Sequence, residues 1–328
     1  MTLVVARISN GLLSIAADTL LSKQGMPLPL QDWILKSICL PGPICVSFSG
    51  SPELASKSFS EFSKLHPSGA SRGETIAFFE KSSASTNNDY IIAFAMRPEL
   101  VSIKNGKRTA GLSKTHWIGD KEAYECFRHY EHGKLHYEHG RALPTMFFAD
   151  ELTGSPANDL YSNMRNVVLD RAAPSVGGFV TVISNREGGF RFAVYSDALV
   201  DWPDVLNGQE KLKLDNVSIT LSASGDNKRV SISQISPGYI NINAVAFYVL
   251  KGHVLVCFGE TDDSQTKCVA LSNIEPRDVP QTLDAVFRMD FRALSFVVSS
   301  SDDFGVPIDS DPKSGPSFLF MPELNTMP

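Results

Sequence analysis

The chain has 328 residues and a mass of 35.8 kDa, enough for one large domain or two ordinary ones. Hydrophobic residues make up 43% and charged residues 20% of it, near the globular average, which excludes wholesale disorder. A net charge of −6 argues against a general nucleic-acid or anionic-membrane binder, because either wants a basic surface.

In chain order, Leu3 to Ile8 reads as a strand and Leu12 to Ala17 as another. Asn10-Gly11 between them is the strongest short hairpin signal, since both residues tolerate positive φ. The long apolar runs imply that both faces of these strands are covered. A third strand, Trp33 to Leu40, turns at Pro41-Gly42-Pro43 into a fourth, Ile44 to Phe48. Ser51-Pro52-Glu53 then opens a helix, with serine at the N-cap, proline in the first turn and an acid after it. Leu54, Phe59, Phe62 and Leu65 give that helix an apolar stripe. Ser71-Arg72-Gly73-Glu74 is a capping box that starts a second helix, through about Lys81. Tyr90 to Met96 and Leu100 to Ile103 are strands, Asn105-Gly106 is another turn, and Lys114 to Ile118 is a further strand. Helices follow from Asp120 to His132 and from Ser155-Pro156 to Arg171. Phe179 to Ile183 and Phe190 to Tyr195 form a hairpin across Asn185 to Gly189. Helices inserted in pairs between runs of strands point to a layered α+β architecture rather than alternating βαβ units.

Beyond Trp202 the texture is β-rich: Val217 to Leu221, Val230 to Ile235, Ala244 to Leu250, Val254 to Phe258, Cys268 to Leu271 and Ala293 to Val298 read as strands, with a short helix at Pro280 to Phe287. From Ser299 the chain is rich in Ser, Asp, Gly and Pro and is expected to lack packed structure. The division is therefore 1–200, a β-rich extension 201–298 and a tail 299–328. The longest apolar stretch, Ala244 to Phe258, is broken by Lys251-Gly252-His253, so no transmembrane helix is expected. Arg7 and Asp18 rule against a secretory leader. Five cysteines, Cys39, Cys45, Cys126, Cys257 and Cys268, are odd in number and lack CxxC spacing, which favours a reduced, cytoplasmic setting.

The chemistry gathers at the start. With a two-residue turn at Asn10-Gly11, Ser9 faces Leu12 and Leu3 faces Asp18, so Asp18 is carried back beside the first residues. Lys36 interrupts an apolar strand and must reach the surface or find a carboxylate, because burying it unpaired is costly. Gly50 ends a strand one residue before a capped helix, where its N–H can meet a developing oxyanion. Thr2, Asp18, Lys36 and Gly50 together offer a nucleophile, an acid–base pair and an oxyanion donor. The bland readings are an inert Thr2, a structural ion pair and a turn glycine.

The segment from Thr2 to Asp18 resembles the start of proteasome β subunits and of the bacterial HslV-type peptidase, matching the spacing from nucleophile to aspartate without a gap. Lys36-Ser37-Ile38 is similar to the family's lysine segment, and Phe48-Ser49-Gly50 to its oxyanion glycine. By element order the resemblance extends over residues 2–196. It implies the four-layer αββα sandwich of N-terminal nucleophile (Ntn) hydrolases, with a β-rich C-terminal extension outside it, and usually assembly into rings. It also implies a threonine peptidase: Met1 is removed, Thr2 attacks an amide carbonyl, Asp18 and Lys36 assist, and Gly50 holds the oxyanion, without a cofactor. Phe48 matches a position flooring the substrate pocket, favouring small or medium apolar side chains. Asp120 stands where the family carries a serine, and Pro174-Ser175-Val176-Gly177-Gly178 keeps only the two glycines of another family segment. The partners implied are a peptide or protein substrate, further copies in a homo-oligomeric ring and a separate ATPase unfoldase; no nucleic acid or membrane is expected. A catalytically silent ring or interaction scaffold and a small-molecule amidase remain as alternatives.

Four of the seven histidines, His129, His132, His136 and His139, lie in a Tyr-Glu-His-Gly near-repeat. Without HExxH spacing or a cysteine partner they read as a solvated helix end and loop rather than a metal site. Lys104, Lys107 and Arg108 read as a hairpin tip without aromatic neighbours. No GxSxG, GxGxxG or Walker loop occurs.

Overall fold

The structure, a computed structural model, describes residues 2–23, 26–27, 30–109, 114–133, 155–169, 173–200, 229–237, 239–249, 253–260, 266–288, 294–298 and 318–322. The fold is mixed α+β. Strand β1 (Leu3–Ser9) returns as β2 (Leu12–Asp18), with Ser9 opposite Leu12 and Val4 opposite Ala17. Asn10 and Gly11 have φ of 51° and 79°, the two positive values a tight hairpin turn needs. Two-residue strands β3 (Ser22–Lys23) and β4 (Met26–Pro27) follow. A 3₁₀ turn at Leu30–Asp32 comes next, and then β5 (Ser37–Leu40) and β6 (Ile44–Ser49). The expected strand from Trp33 is thus shorter. Trp33 bonds back to the Leu30 carbonyl and Ile34 to the Thr19 carbonyl, which commits their amides elsewhere.

Helix α1 (Pro52–Leu65) has Ser51 as N-cap, its hydroxyl accepting from the Leu54 N–H. Helix α2 (Arg72–Thr86) starts at the Ser71/Glu74 capping box and runs a turn past the expected end. It stops at Asn87, whose φ of 56° is the left-handed cap that asparagine tolerates. The stripe on α1 is displaced from the expected one: Ala55, Ser58, Phe59 and Phe62 are buried, while Leu54 and Leu65 face outward. Then come β7 (Asp89–Phe94), β8 (Glu99–Lys104), β9 (Lys107–Thr109) and β10 (Thr115–Gly119). Helices α3 (Lys121–Glu131) and α4 (Pro156–Leu169) precede β11 (Val180–Arg186) and β12 (Gly189–Phe192).

Two five-stranded antiparallel sheets result, ordered β10-β1-β2-β11-β12 and β5-β6-β7-β8-β9. Side chains alternate across a strand, so Ser37, Ser47, Ile91 and Ser102 share one face of the second sheet. The Ser102 hydroxyl meets His116 Nδ1 of β10 at 2.5 Å, so this face looks at the first sheet. The opposite face carries Phe48 and Tyr90, which pack on Phe59 of α1 and, through Tyr90, Phe79 of α2. Each buried ring of that cluster contributes roughly 1.5–3 kcal/mol of burial. On the first sheet, α4 packs along β2 and β11, and Trp117 of β10 stacks on Tyr124 of α3 at 4.3 Å.

A third five-stranded sheet contains β13 (Tyr195–Val200), β14 (Arg229–Ile235), β15 (Ala244–Val249), β16 (Val254–Glu260) and β17 (Thr266–Leu271), in that order. Every residue of β15 is buried, because both faces are covered. Val245, Phe247 and Val249 join the core of the first two sheets, with Phe179 stacked on Phe247 at 4.4 Å. Ala246 and Tyr248 join Val279 and Leu283 of α5 (Val279–Phe287). Strands β18 (Leu294–Val298) and β19 (Phe318–Pro322) pair with each other, so part of the Ser/Asp/Pro-rich tail is extended and paired. The expected strand at Val217 to Leu221 lies outside the described residues. No helix among the described residues is long and apolar enough to cross a membrane.

Glycines at two turns make opposite demands. A Cβ on Gly119 (φ 104°) would lie 1.8 Å from the Thr2 carbonyl oxygen, whereas one on Gly11 (φ 79°) meets nothing within 4 Å. Gly119→Ala should therefore cost about 2–4 kcal/mol in urea denaturation. Gly11→Ala should cost only about 1 kcal/mol, from the left-handed backbone alone. Equal losses for the two variants would contradict the close approach of β10 to Thr2.

Candidate active site

The tight register of β1 and β2 puts Leu3 across from Asp18, and the Asp18 carboxylate accepts from the Leu3 N–H at 3.0 Å. On the same oxygen, Lys36 Nζ sits at 2.8 Å, and neither side chain has any exposure. The other carboxylate oxygen accepts from the Gly177 N–H at 3.2 Å. Lys36 also donates to the Leu20 carbonyl at 2.5 Å. An ammonium has three donors, so these two bonds leave one without a partner among the described residues. Lys36 reaches this place because it lies just before β5, at a bend, with its carbonyl still in the β5–β6 ladder through the Phe48 N–H at 3.0 Å.

Burial acts on both charges. It pushes the Asp18 carboxyl up from the usual carboxylate range, while Lys36 and the N–H groups of Leu3 and Gly177 oppose the shift. The same loss of water pulls the Lys36 ammonium down, with Asp18 opposing. Each charge is tolerated only because the other is present.

Thr2 is 5% exposed and is held through its own carbonyl, which accepts from the Asp120 N–H at 2.7 Å. Asp120 is the N-cap of α3, with one carboxylate oxygen accepting from the Ala123 N–H at 3.0 Å and the other from the Ser175 hydroxyl. Ser175 belongs to the loop that carries Gly177, and that loop is sewn to the end of β2. Leu20 N–H donates to the Gly177 carbonyl at 3.2 Å, and Phe179 N–H to the Thr19 hydroxyl at 2.9 Å. A Cβ on Gly178 (φ 74°) would fall 2.5 Å from Thr19 Oγ1, so only glycine fits there.

Gly50 lies two residues past Phe48, at the end of the second sheet where Lys36 also stands. Its φ is 122° and it is exposed. Asn88, which follows the left-handed cap of α2, fixes this turn: Oδ1 accepts from the Ser51 N–H at 2.7 Å and Nδ2 donates to the Ser51 carbonyl at 3.0 Å. A Cβ on Gly50 would overlap Asn88 Oδ1 at 2.2 Å. Phe48 is 3% exposed and turned to α1.

The structure thus joins Asp18 to Lys36 directly, sets Thr2 one residue from the amide that Asp18 holds, and leaves Gly50 at the open end of β6. In the sequence Asp120 and the Ser175–Gly177 segment stand out only as departures from the family pattern, not as site residues, and Asn88 does not stand out at all. The available signals were slight: an acid opening α3 after a strand-end glycine, and a double glycine before β11. No protein-family model matches the chain, and no curated protein matches it.

Of the histidines, His132 meets Arg128 at 3.0 Å, and His136 and His139 lie outside the described residues. Among the described residues no cluster of three or more His, Cys, Asp or Glu side chains is arranged to hold a metal ion. Lys104 does have an aromatic neighbour, contrary to expectation: its Nζ is 4.0 Å from the Trp117 ring centroid. With Tyr124 stacked on that ring as well, neither face is left for a base to stack on.

Lys36→Met should lose about 3–5 kcal/mol of stability, since it strands a buried carboxylate. In that variant the Asp18 pKa rises further above its unfolded value. A group raised in the folded state stabilises below the unfolded pKa and loses that contribution as pH rises through the folded one. The deficit against the parent, measured by urea denaturation, should therefore shrink as the pH is lowered from neutral into the acid range. A pH-independent deficit would mean that Asp18 carries no charge in the parent.

Proposed function

We propose that the protein is an N-terminal nucleophile hydrolase that cleaves amide bonds through Thr2 once Met1 is removed. The observation that carries this reading is the fully buried Asp18–Lys36 pair, with Asp18 also bonded to the amide next to Thr2. A structural ion pair needs no such address, and burying one is a poor route to stability. The paired helices, α1 with α2 on one sheet and α3 with α4 on the other, support the four-layer αββα sandwich of proteasome-like hydrolases.

In this reading a free Thr2 amine, with an ordinary pKa of roughly 7.7–8.0, takes the proton of its own hydroxyl as that oxygen attacks the carbonyl. Lys36, kept charged by Asp18, lowers the energy of the developing alkoxide through its remaining donor. Threonine's branched Cβ limits the hydroxyl to few rotamers. The oxyanion forms at the Gly50 N–H, helped by the positive end of α1. The amine then protonates the leaving nitrogen, and water releases the acyl group from the Thr2 oxygen. No cofactor enters these steps. Phe48, packed on Phe59, would floor a pocket for small or medium apolar side chains. The substrate is a peptide or protein, the working form a ring of copies fed by a separate ATPase unfoldase, and the setting cytoplasmic.

Intact-mass analysis of protein from its native host should find the chain beginning at Thr2. That protein should hydrolyse fluorogenic peptides and be labelled by a threonine-directed electrophile. Thr2→Ala should lower turnover by at least 1,000-fold, as removal of a covalent nucleophile does, while keeping the unfolding free energy within about 1 kcal/mol of the parent's. A retained Met1, or unchanged turnover in Thr2→Ala, would instead leave a catalytically silent ring or interaction scaffold. Turnover of amino-acid amides alone would identify a small-molecule amidase of the same mechanism.

A further inference from the structure

Cys39 of β5 and Cys45 of β6 are Cα partners in an antiparallel ladder. Along such a ladder, hydrogen-bonded and non-hydrogen-bonded pairs alternate. Phe48 N–H donates to the Lys36 carbonyl, so 36/48 and 38/46 are bonded pairs and 37/47 and 39/45 are not. Cys39 agrees with this phase: its N–H and carbonyl turn away from β6 to the Asn243 side chain, at 2.7 and 2.9 Å. Non-hydrogen-bonded partners are the closer kind, about 4.5 Å between Cα atoms, within the roughly 4.4–6.8 Å that a disulfide spans. The preceding pair shows how near such side chains come, with the Ser37 and Ser47 hydroxyls 2.7 Å apart. The two thiols are free, buried and in contact with each other.

We propose that Cys39 and Cys45 are a redox modification site, closed to a cross-strand disulfide by a hydroperoxide and reopened by a thiol reductant. Cys39 reacts first. It lies on the edge strand of its sheet and is the less deeply buried of the two, 5% exposed against 0% for Cys45. Its thiol donates to the Phe190 carbonyl, 3.9 Å away, which orients the sulfur. The Cys39 thiolate attacks one peroxide oxygen, the O–O bond breaks, and the products are a sulfenic acid and, after protonation, water or an alcohol. Cys45, whose thiol burial pushes up, is the resolving partner. Its sulfur attacks the sulfenic sulfur, the S–O bond breaks, and the departing hydroxide takes the Cys45 proton as water. Two sulfurs are oxidised by one electron each and the peroxide is reduced by two. The closed ring spans Pro41-Gly42-Pro43 and ties down the strand that begins next to Lys36. Cys257 and Cys268 are an internal control. They sit on adjacent strands, but Cys257 faces Val269 and Cys268 faces Phe258, so their side chains leave opposite faces of the sheet.

The test uses the full-length reduced protein, treated with hydrogen peroxide and then unfolded in N-ethylmaleimide. Cys39 and Cys45 fall in one tryptic peptide, Ser37 to Lys57. That peptide should appear without maleimide and lighter by about 2 Da than its dithiol form, as two-electron disulfide formation requires. Prior treatment with dithiothreitol should restore both labels, and Cys257 and Cys268 should label throughout. Cys45→Ser should trap the intermediate as a dimedone adduct on Cys39. If that variant does not fold, amide exchange over residues 37–48 in the parent decides instead, with slower exchange expected after peroxide. Two maleimides on the Ser37–Lys57 peptide after peroxide, over-oxidation of a single cysteine, or bonds only between chains would each overturn the assignment.

Discussion

Two opposite charges sealed from water fix much of what surrounds them. Asp18 and Lys36 come from different sheets, so their attraction has to be met by bringing the end of β2 against the bend before β5. The remaining carboxylate lone pairs must then be filled, because the interior punishes an unmet acceptor. The Leu3 amide fills one position and thereby ties down the residue after Thr2. The Gly177 amide fills another, which draws in the whole loop before β11. That loop in turn brings Ser175 to Asp120, and Asp120 holds the Thr2 carbonyl. A single desolvated pair thus accounts for the convergence of the β1 start, the β2 end, the β5 approach, the α3 N-terminus and the β11 approach.

The parts of the fold that were legible in sequence share a local cause. Asn10-Gly11 sets its own register, and the register alone predicts that Asp18 returns beside Leu3. Ser51 and Ser71 announce their helices because the caps are satisfied by residues three positions on. Lys36 was legible by contradiction, as a charge in an apolar run that had either to reach the surface or to find a carboxylate. What escaped was decided over long sequence separations. Trp33 and Ile34 have strand-forming side chains, yet Leu30 and Thr19 take their amides. Leu54 and Leu65 fit a helical stripe, but the second sheet and α2 together select the face carrying Phe59 and Phe62. Asn88, a polar residue just past the end of α2, carries no local sign of its role. Its clasp on Ser51, which makes glycine obligatory at position 50, depends on β7 lying beside β6.

The C-terminal sheet answers a problem created by the first two. Each ends in a strand with unpaired backbone, β5 in one and β12 in the other, and open edges invite association with further chains. The segment just before β15 supplies both covers. Asn243 grips the N–H and carbonyl of Cys39, and Asn241 pairs with Phe190 through its own amide and its side chain. The inward side chains of β15 and β16 then close over Phe179, next to the loop that feeds Gly177 to Asp18. An extension with no legible motif is therefore coupled, through two asparagines and the rings of Phe247 and Phe258 on Phe179, to one edge of each sheet and to the loop beside Asp18.

Asp120 bears on how a freed Thr2 amine would work in the proposed reaction. Both carboxylate oxygens of Asp120 are already engaged, one by the first turn of α3 and one by Ser175, so its negative charge is partly spread over those donors and the helix end. Asp120 is bound to Thr2 through its own N–H, and a negative charge near a freed amine would favour the protonated form and oppose proton uptake from the hydroxyl. Lys36 acts in the other direction, since its positive charge favours the neutral amine and the alkoxide together. The balance between an acid on α3 and a cation at the β5 approach would thus set the basicity of the nucleophile's own amine. In the proposed reaction Ser175 would then act on the amine only through Asp120, to which its hydroxyl donates.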